Sequence, residues 1–131
     1  MTTKILQPPG WAAPRGYVNG VAASGTQVFV AGMIGWNAQC HWESDDLVAQ
    51  VRQALLNVRA VLAEAGATPE HIVRMTWYLV DKRAYLARAR EIGAAYRETI
   101  GSYAVAMTAV QVAGLIEDRA QVEIEVTAVL P

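Results

Sequence analysis

The chain has 131 residues, of which 53% are hydrophobic, and a formal net charge of −1. A chain of this length is expected to fold as one domain, residues 1–131, and its apolar content supplies the core that a small domain needs. Lys and Arg are scattered rather than clustered, so the concentrated positive field that phosphate neutralisation requires is missing and no nucleic-acid partner is expected. No run approaches the roughly 18 apolar residues of a membrane helix, so no membrane partner is expected either. The opening MTTKILQPPGW lacks the apolar stretch of a signal peptide, and Cys40, the one cysteine, cannot form an internal disulfide. Both features fit a reducing cytoplasm.

Residues 1–16 carry Pro8, Pro9, Gly10, Pro14 and Gly16 and read as an irregular N-terminal arm with room for one short strand. Residues 17–23 and 26–31 are β-prone. Ser24-Gly25 between them is a turn signal, so the pair is expected to form a hairpin. Gly32 to Gly35 lead into a loop, WNAQCHWES.

A helix is expected next. Leu47, Val48, Val51, Ala54, Leu55, Val58, Val61, Leu62 and Ala65 recur at spacings of three and four and form one apolar stripe. Ser44 is the expected N-cap, Asp45 and Asp46 suit the positive end of the helix dipole, and Gly66 suits the position after the C-cap. Thr68-Pro69-Glu70 reads as a single helical turn.

Residues 72–80 read as a strand with Val73, Met75, Trp77 and Leu79 on one face and Arg74, Thr76 and Tyr78 on the other. A second helix is expected from about Arg83 to Ile100, with Leu86, Ala89, Gly93, Tyr96 and Ile100 facing inward. Two strands follow, near residues 104–113 and 120–129. In the last, Val122, Ile124, Val126 and Ala128 alternate with Glu123, Glu125 and Thr127. The uncharged run SYAVAMTAVQVAGL is expected to be a central strand whose Met107–Thr108 end floors a cleft.

The element order is β-β-α-β-α-β-β, an α/β chain. Two helices cannot cover both faces of such a sheet, so the expected architecture is an α+β two-layer sandwich with both helices on one face. Tyr17, Trp77 or Tyr78 and the uncharged run would leave the other face apolar, and a homo-oligomer is expected to cover it.

RGYVNGV, VFVAGMIG, QVRQALLNVRAVLAEAGATPEHIVRMTWYLVD and TAVQVAGL…VEIEVTAV together resemble the opening strand, Ser-Gly segment, helix–turn–strand unit and C-terminal hairpin of the RidA/YjgF family. The resemblance covers residues 15–130. It implies a chorismate-mutase-like fold with a mixed sheet, assembled as a homotrimer with sites between subunits. It also implies hydrolysis of reactive enamines and imines, typically 2-iminoacids, to the keto acid and ammonia, with no metal or organic cofactor. By the same resemblance Tyr17 is a pocket wall, Gly32 brings backbone to the ligand, and Glu123 places the attacking water. The family's carboxylate-gripping arginine falls on Met107, the serine before the glycine on Ala31, and a proline on Val105. The helix after Asp81 is about one turn longer than is usual in the family.

Arginine suits a carboxylate because its planar fork donates two parallel charge-assisted bonds, each contributing roughly 1.5–3 kcal/mol. Met107 offers a polarizable thioether instead. A carboxylate beside it would be desolvated without a partner, so ordinary iminoacids are expected to bind poorly. Three readings follow: a hydrolase for a different substrate, a trimeric binder of an apolar or aromatic metabolite, or an assembly module with a vestigial site. Arg15 is either a replacement cation or a solvated loop residue. Glu123 is either the water-placing group or a solvated carboxylate, with Glu125 structural beside it. Tyr17 is either pocket wall or packing. Thr108 either bonds a ligand or is a strand residue at home in a sheet.

Cys40 and His41 are neighbours in an extended loop with no third orienting group, which does not favour a nucleophile pair. Two His and one Cys give no ligand spacing, so no metal is expected. No glycine-rich phosphate loop is present. Trp36 and Trp42 bracket this loop, as an aromatic rim or as packing on a neighbour.

Overall fold

The computed structural model describes residues 3–131. The elements are β1 (Thr3–Ile5), β2 (Val21–Ala23), β3 (Thr26–Ile34), α1 (Leu47–Glu64), β4 (Ile72–Leu79), α2 (Lys82–Ala87), α3 (Ala89–Thr99), β5 (Ala106–Gln111) and β6 (Val122–Leu130). A 3₁₀ turn, Pro69–His71, precedes β4 where Thr68-Pro69-Glu70 predicts a single turn.

The main sheet is mixed, in the order β3-β6-β4-β5, with β4 and β5 parallel and the other neighbours antiparallel. The alternation of β6 sets its orientation. Val122, Ile124, Val126 and Ala128 are all buried, and they sit in register with Leu79, Trp77, Met75 and Ile72 of β4. Opposite them α1 buries Leu47, Val51, Ala54, Leu55, Val58 and Leu62. This is the predicted α+β sandwich, with α1 and α3 as its main helices and one apolar layer between helix and sheet.

Several local expectations are corrected. Residues 17–23 and 26–31 do not pair as a hairpin: β2 pairs with β1 in a separate two-stranded ribbon, and β3 pairs with β6. The arm supplies the missing partner, so Ser24-Gly25 joins two sheets instead of two strands of one. Asp46, not Ser44, is the N-cap of α1; its side chain accepts from the Ala49 N–H at 3.0 Å. Ser44 Oγ instead accepts from the Asp46 N–H.

The second helix is interrupted at Arg88. The interruption rotates the buried face. Ile92, Ala95 and Thr99 are buried, whereas Leu86 is 66% exposed. Within the chain β5 is an edge strand, not a central one. Among the described residues its outer side is bridged by Val18 alone, opposite Ala106, and the Val18 N–H donates to the Val105 carbonyl at 3.0 Å.

The face turned away from the helices is also more polar than predicted. Trp77 points to the helix side, and Tyr17 lies outside the strands. The rows that remain carry Arg74, Thr76, Tyr78, Thr108, Glu123, Glu125 and Thr127, with the exposed apolar side chains Val110 on β5 and Phe29 on β3 among them.

Candidate functional site

Register decides where Met107 points. It pairs with Met75, on the helix-covered side of the sheet, while its neighbour Thr108 pairs with Thr76 on the uncovered side. Since successive strand side chains alternate, one ligand on one side of this chain cannot touch both. Met107 packs against the edge of the core. Beyond it opens a cleft of about 380 Å³, within the range typical of small-molecule sites.

The wall of the cleft is largely aromatic. Trp77 on β4 meets Tyr85 of α2 edge-on at 6.2 Å and Tyr96 of α3 at 6.3 Å, and all three line the cleft with Tyr17. Ile92, Gly93 and Ala89 complete the α3 side, and Ala109 lies beside Met107 on β5. Arg15 is the one charged residue among the lining groups, and among the described residues it forms no ion pair. The Trp77 indole N–H is buried with no hydrogen-bond partner among the described residues. Burial pushes the Tyr96 phenol up to about 12 and raises that of Tyr85, so both rings stay neutral at physiological pH.

Tyr85, Ile92 and Ala109 are lining residues that sequence reasoning missed, and Trp77 and Tyr96 were legible only as packing residues. The signal was present: Tyr85 and Tyr96 are about three helical turns apart, so they share a face despite the break at Arg88.

The residues carried over from the resemblance fall into separate groups. Arg15, Tyr17 and Met107 share the aromatic cleft. Glu123 and Gly32 form a second unit on neighbouring strands. A Cβ added at Gly32 would lie 2.8 Å from the Glu123 carboxyl carbon, so only glycine leaves the carboxylate its place. Ala31 lines another hollow, on the uncovered face, with Phe29, Arg74, Thr76 and Glu125. In that face Tyr78 Oη donates to Glu125 Oε1 at 2.5 Å. That bond, helped by the desolvation and the negative charge nearby, raises the Tyr78 pKa. Thr108 is exposed on the same side. A single chain therefore does not bring Glu123 to Met107: the two lie on opposite faces of the sheet.

Two amides of α1 fix the strands that carry Gly32 and Glu123. Gln50, 1% exposed, donates to the Ser44 and Arg119 carbonyls and accepts from the Gln121 N–H at 2.8 Å, which anchors the start of β6. Asn57 donates to the Ile34 and Trp36 carbonyls at 3.0 and 2.8 Å, which anchors the end of β3. The loop beyond closes on itself. Trp36 and Trp42 lie 5.8 Å apart, and Arg119 sits 5.6 Å over Trp42 while pairing with Asp45. Neither tryptophan lines the aromatic cleft. Cys40 is exposed, and Asn37 Oδ1 accepts from the N–H groups of Gln39 and His41.

Among the described residues no helix is long and apolar enough to cross a membrane. A family model described as Endoribonuclease L-PSP matches residues 9–130. A RutC family protein of Synechocystis is 35% identical, covering 100% of this chain and 99% of its own length. Another from Haemophilus influenzae is 34% identical over 98% of each. Among solved structures, the Rid family protein YyfB of Yersinia pestis superposes with a TM-score of 0.78 at 35% identity, covering 99% of this chain and 100% of its own. Escherichia coli TdcF, solved with bound serine, gives 0.70 at 30% identity over 98% and 99%. On its sequence, its sheet order and these likenesses, the chain belongs to the RidA/YjgF family.

Proposed function

We propose that this protein is a cofactor-independent hydrolase of reactive enamines or imines, acting in the cytoplasm on a substrate other than the common 2-iminoacids. One observation carries the reading: Met107, at the family's arginine position, floors an aromatic cleft that also holds Tyr17 and Arg15. In the proposed reaction a water oxygen attacks the imine carbon and forms the C–O bond. The C=N π pair moves to nitrogen, which takes up protons. The C–N bond then breaks, leaving a carbonyl compound and ammonia. Glu123 accepts the proton of the attacking water, and Tyr17 walls the substrate. Gly32 lets the carboxylate sit where it does. Ala31 and Thr108 line the neighbouring subunit's side of the site.

This chemistry needs a homotrimer, because within one chain Glu123 and Met107 face opposite ways. In the assembly, the Glu123 face of one subunit meets the exposed edge of β5 on the next. Light scattering is expected to give three times the 14.2 kDa chain mass. A monomer would remove the site.

The direct test is ammonia release from freshly generated imines with and without an α-carboxylate, beside an active family member. Turnover of the carboxylate-free imine, lost in Glu123→Ala, supports the reading. A second reading, binding of an apolar or aromatic metabolite without turnover, is favoured by the cleft lining, in which no acidic group stands among the described residues. Saturable binding with no ammonia release from any imine would select it.

A further inference from the structure

The cleft has a lopsided chemistry. Among the described residues its lining holds aromatic rings, Met107 and small apolar groups, no carboxylate, and one cation, Arg15. Apolar walls favour a flat ring, since burying apolar surface is worth roughly 25 cal/mol per Å² and aromatic pairs add to it. Among the described residues, the hydrogen-bonding groups of the lining side chains are the Arg15 guanidinium, the unpartnered Trp77 N–H and the hydroxyls of Tyr17, Tyr85 and Tyr96, beside the weakly accepting Met107 thioether. None of those three hydroxyls has a side-chain hydrogen bond among the described residues. Arg15 is exposed, so its charge lies at the solvent side of the cleft, with Trp77 buried behind.

We propose that the cleft selects an aromatic monoanion, with the ring between Tyr17 and the Trp77–Tyr85–Tyr96 wall and the carboxylate held at the mouth by Arg15. The acid-binding function has moved from the strand position of Met107 to the loop before Tyr17. Arg15 is then a specificity-determining residue. Its planar fork suits a carboxylate and a neighbouring aromatic face at once. The inference rests on reading this cleft as the ligand site, but not on any turnover.

The test is a calorimetric titration of the intact protein with phenylacetate, its neutral isostere phenylacetamide, and acetate. Phenylacetate is expected to bind saturably and at least tenfold more tightly than either of the others. Arg15→Gln, a change on an exposed loop, should weaken phenylacetate about tenfold and leave phenylacetamide unchanged. Ala109→Phe, which fills the cleft from the exposed strand edge, should abolish both. Equal binding of acetate, equal binding of phenylacetamide, no saturable binding, or indifference to Arg15→Gln each overturns the inference. Retention of phenylacetate with no ammonia release from any imine would remove the hydrolase and keep the ligand class. Turnover of a neutral imine unaffected by Arg15→Gln, with no aromatic-anion preference, would do the reverse.

Discussion

The Glu123 carboxylate lies against Gly32 of the adjoining strand, so closely that a β-carbon at 32 would fall 2.8 Å from its carboxyl carbon. The contact follows from the register, in which β3 skips between Val30 and Met33 opposite β6. The skip sets Gly32 beside Glu123 without a paired side chain of its own. Glycine at 32 is therefore a spatial requirement of the glutamate.

Gly32→Ala is accordingly expected to push the carboxylate aside. Overpacking of this kind costs roughly 1–3 kcal/mol, and less where the atom that moves ends a flexible side chain, so the low end applies. Denaturant unfolding should show a loss of about 1 kcal/mol. Ammonia release should fall as far as in Glu123→Ala. Wild-type turnover in Gly32→Ala would separate Glu123 from the reaction.

Met107→Arg is expected to introduce or raise 2-iminoacid hydrolysis. Met107 is only partly buried and packs on the rim of the core, so the longer side chain can extend into the cleft. The rings of Trp77 and Tyr96 would face the new cation there. The stability cost should be modest, about 1 kcal/mol. The rate should rise against iminoacids that carry an α-carboxylate, and Glu123→Ala in the same background should abolish the gain. A folded, trimeric and inert Met107→Arg protein would place the decisive departure at Ala31 or the loop that follows it.

Periodic elements were legible in the sequence because burial imposes the period. The β6 alternation and most of the α1 stripe appear in the structure, since each faces one apolar layer, whereas Val61 and Ala65 of the predicted stripe are exposed. Elements decided by long-range pairing were not legible. Nothing local in 17–23 says that β1 rather than β3 is its partner. Nothing in SYAVAMTAVQVAGL says that its strand lies at an edge. The break at Arg88 has a tertiary cause as well: its guanidinium bonds both Glu91 and Asp46, at 2.8 and 3.0 Å, and ties α3 to the start of α1. The residue types of the cleft could be read, but that Tyr17, Met107 and Tyr96 meet, while Glu123 faces away, could be seen only once the sheet order was known.

Asp46 joins two functions, capping α1 at the Ala49 N–H and pairing with Arg88. The backbone bond first, and the Arg88 bond second, hold its pKa below the ordinary 3.8. A carboxylate with a depressed folded pKa stabilises the fold above its unfolded value, and the contribution is lost as pH falls through the folded value. Asp46→Ala should cost about 1 kcal/mol at pH 7. Asp46→Asn keeps a capping oxygen but not the charge. The gap between wild type and Asp46→Asn, measured by urea unfolding, should close as the pH is lowered below 3.8. A gap independent of pH would show that the charge contributes nothing.

Tyr96 gives the opposite end of the pH scale. Burial against Trp77 moves its phenol from 10.0 to about 12, and burial raises Tyr85 as well. Between those values the unfolded chain has released its phenolic protons while the folded chain still holds them. Unfolding is then coupled to proton release, and stability falls as pH rises from about 10 to about 12. Tyr96→Phe removes the ionisable group and keeps the ring that walls the cleft. Its urea midpoint should decline less than that of wild type between pH 9 and roughly pH 11, with Tyr85→Phe giving a smaller version of the same effect. An identical alkaline decline in wild type and Tyr96→Phe would mean that the ring is hydrated. The cleft would then lack the dry aromatic wall on which selection of an aromatic ligand depends.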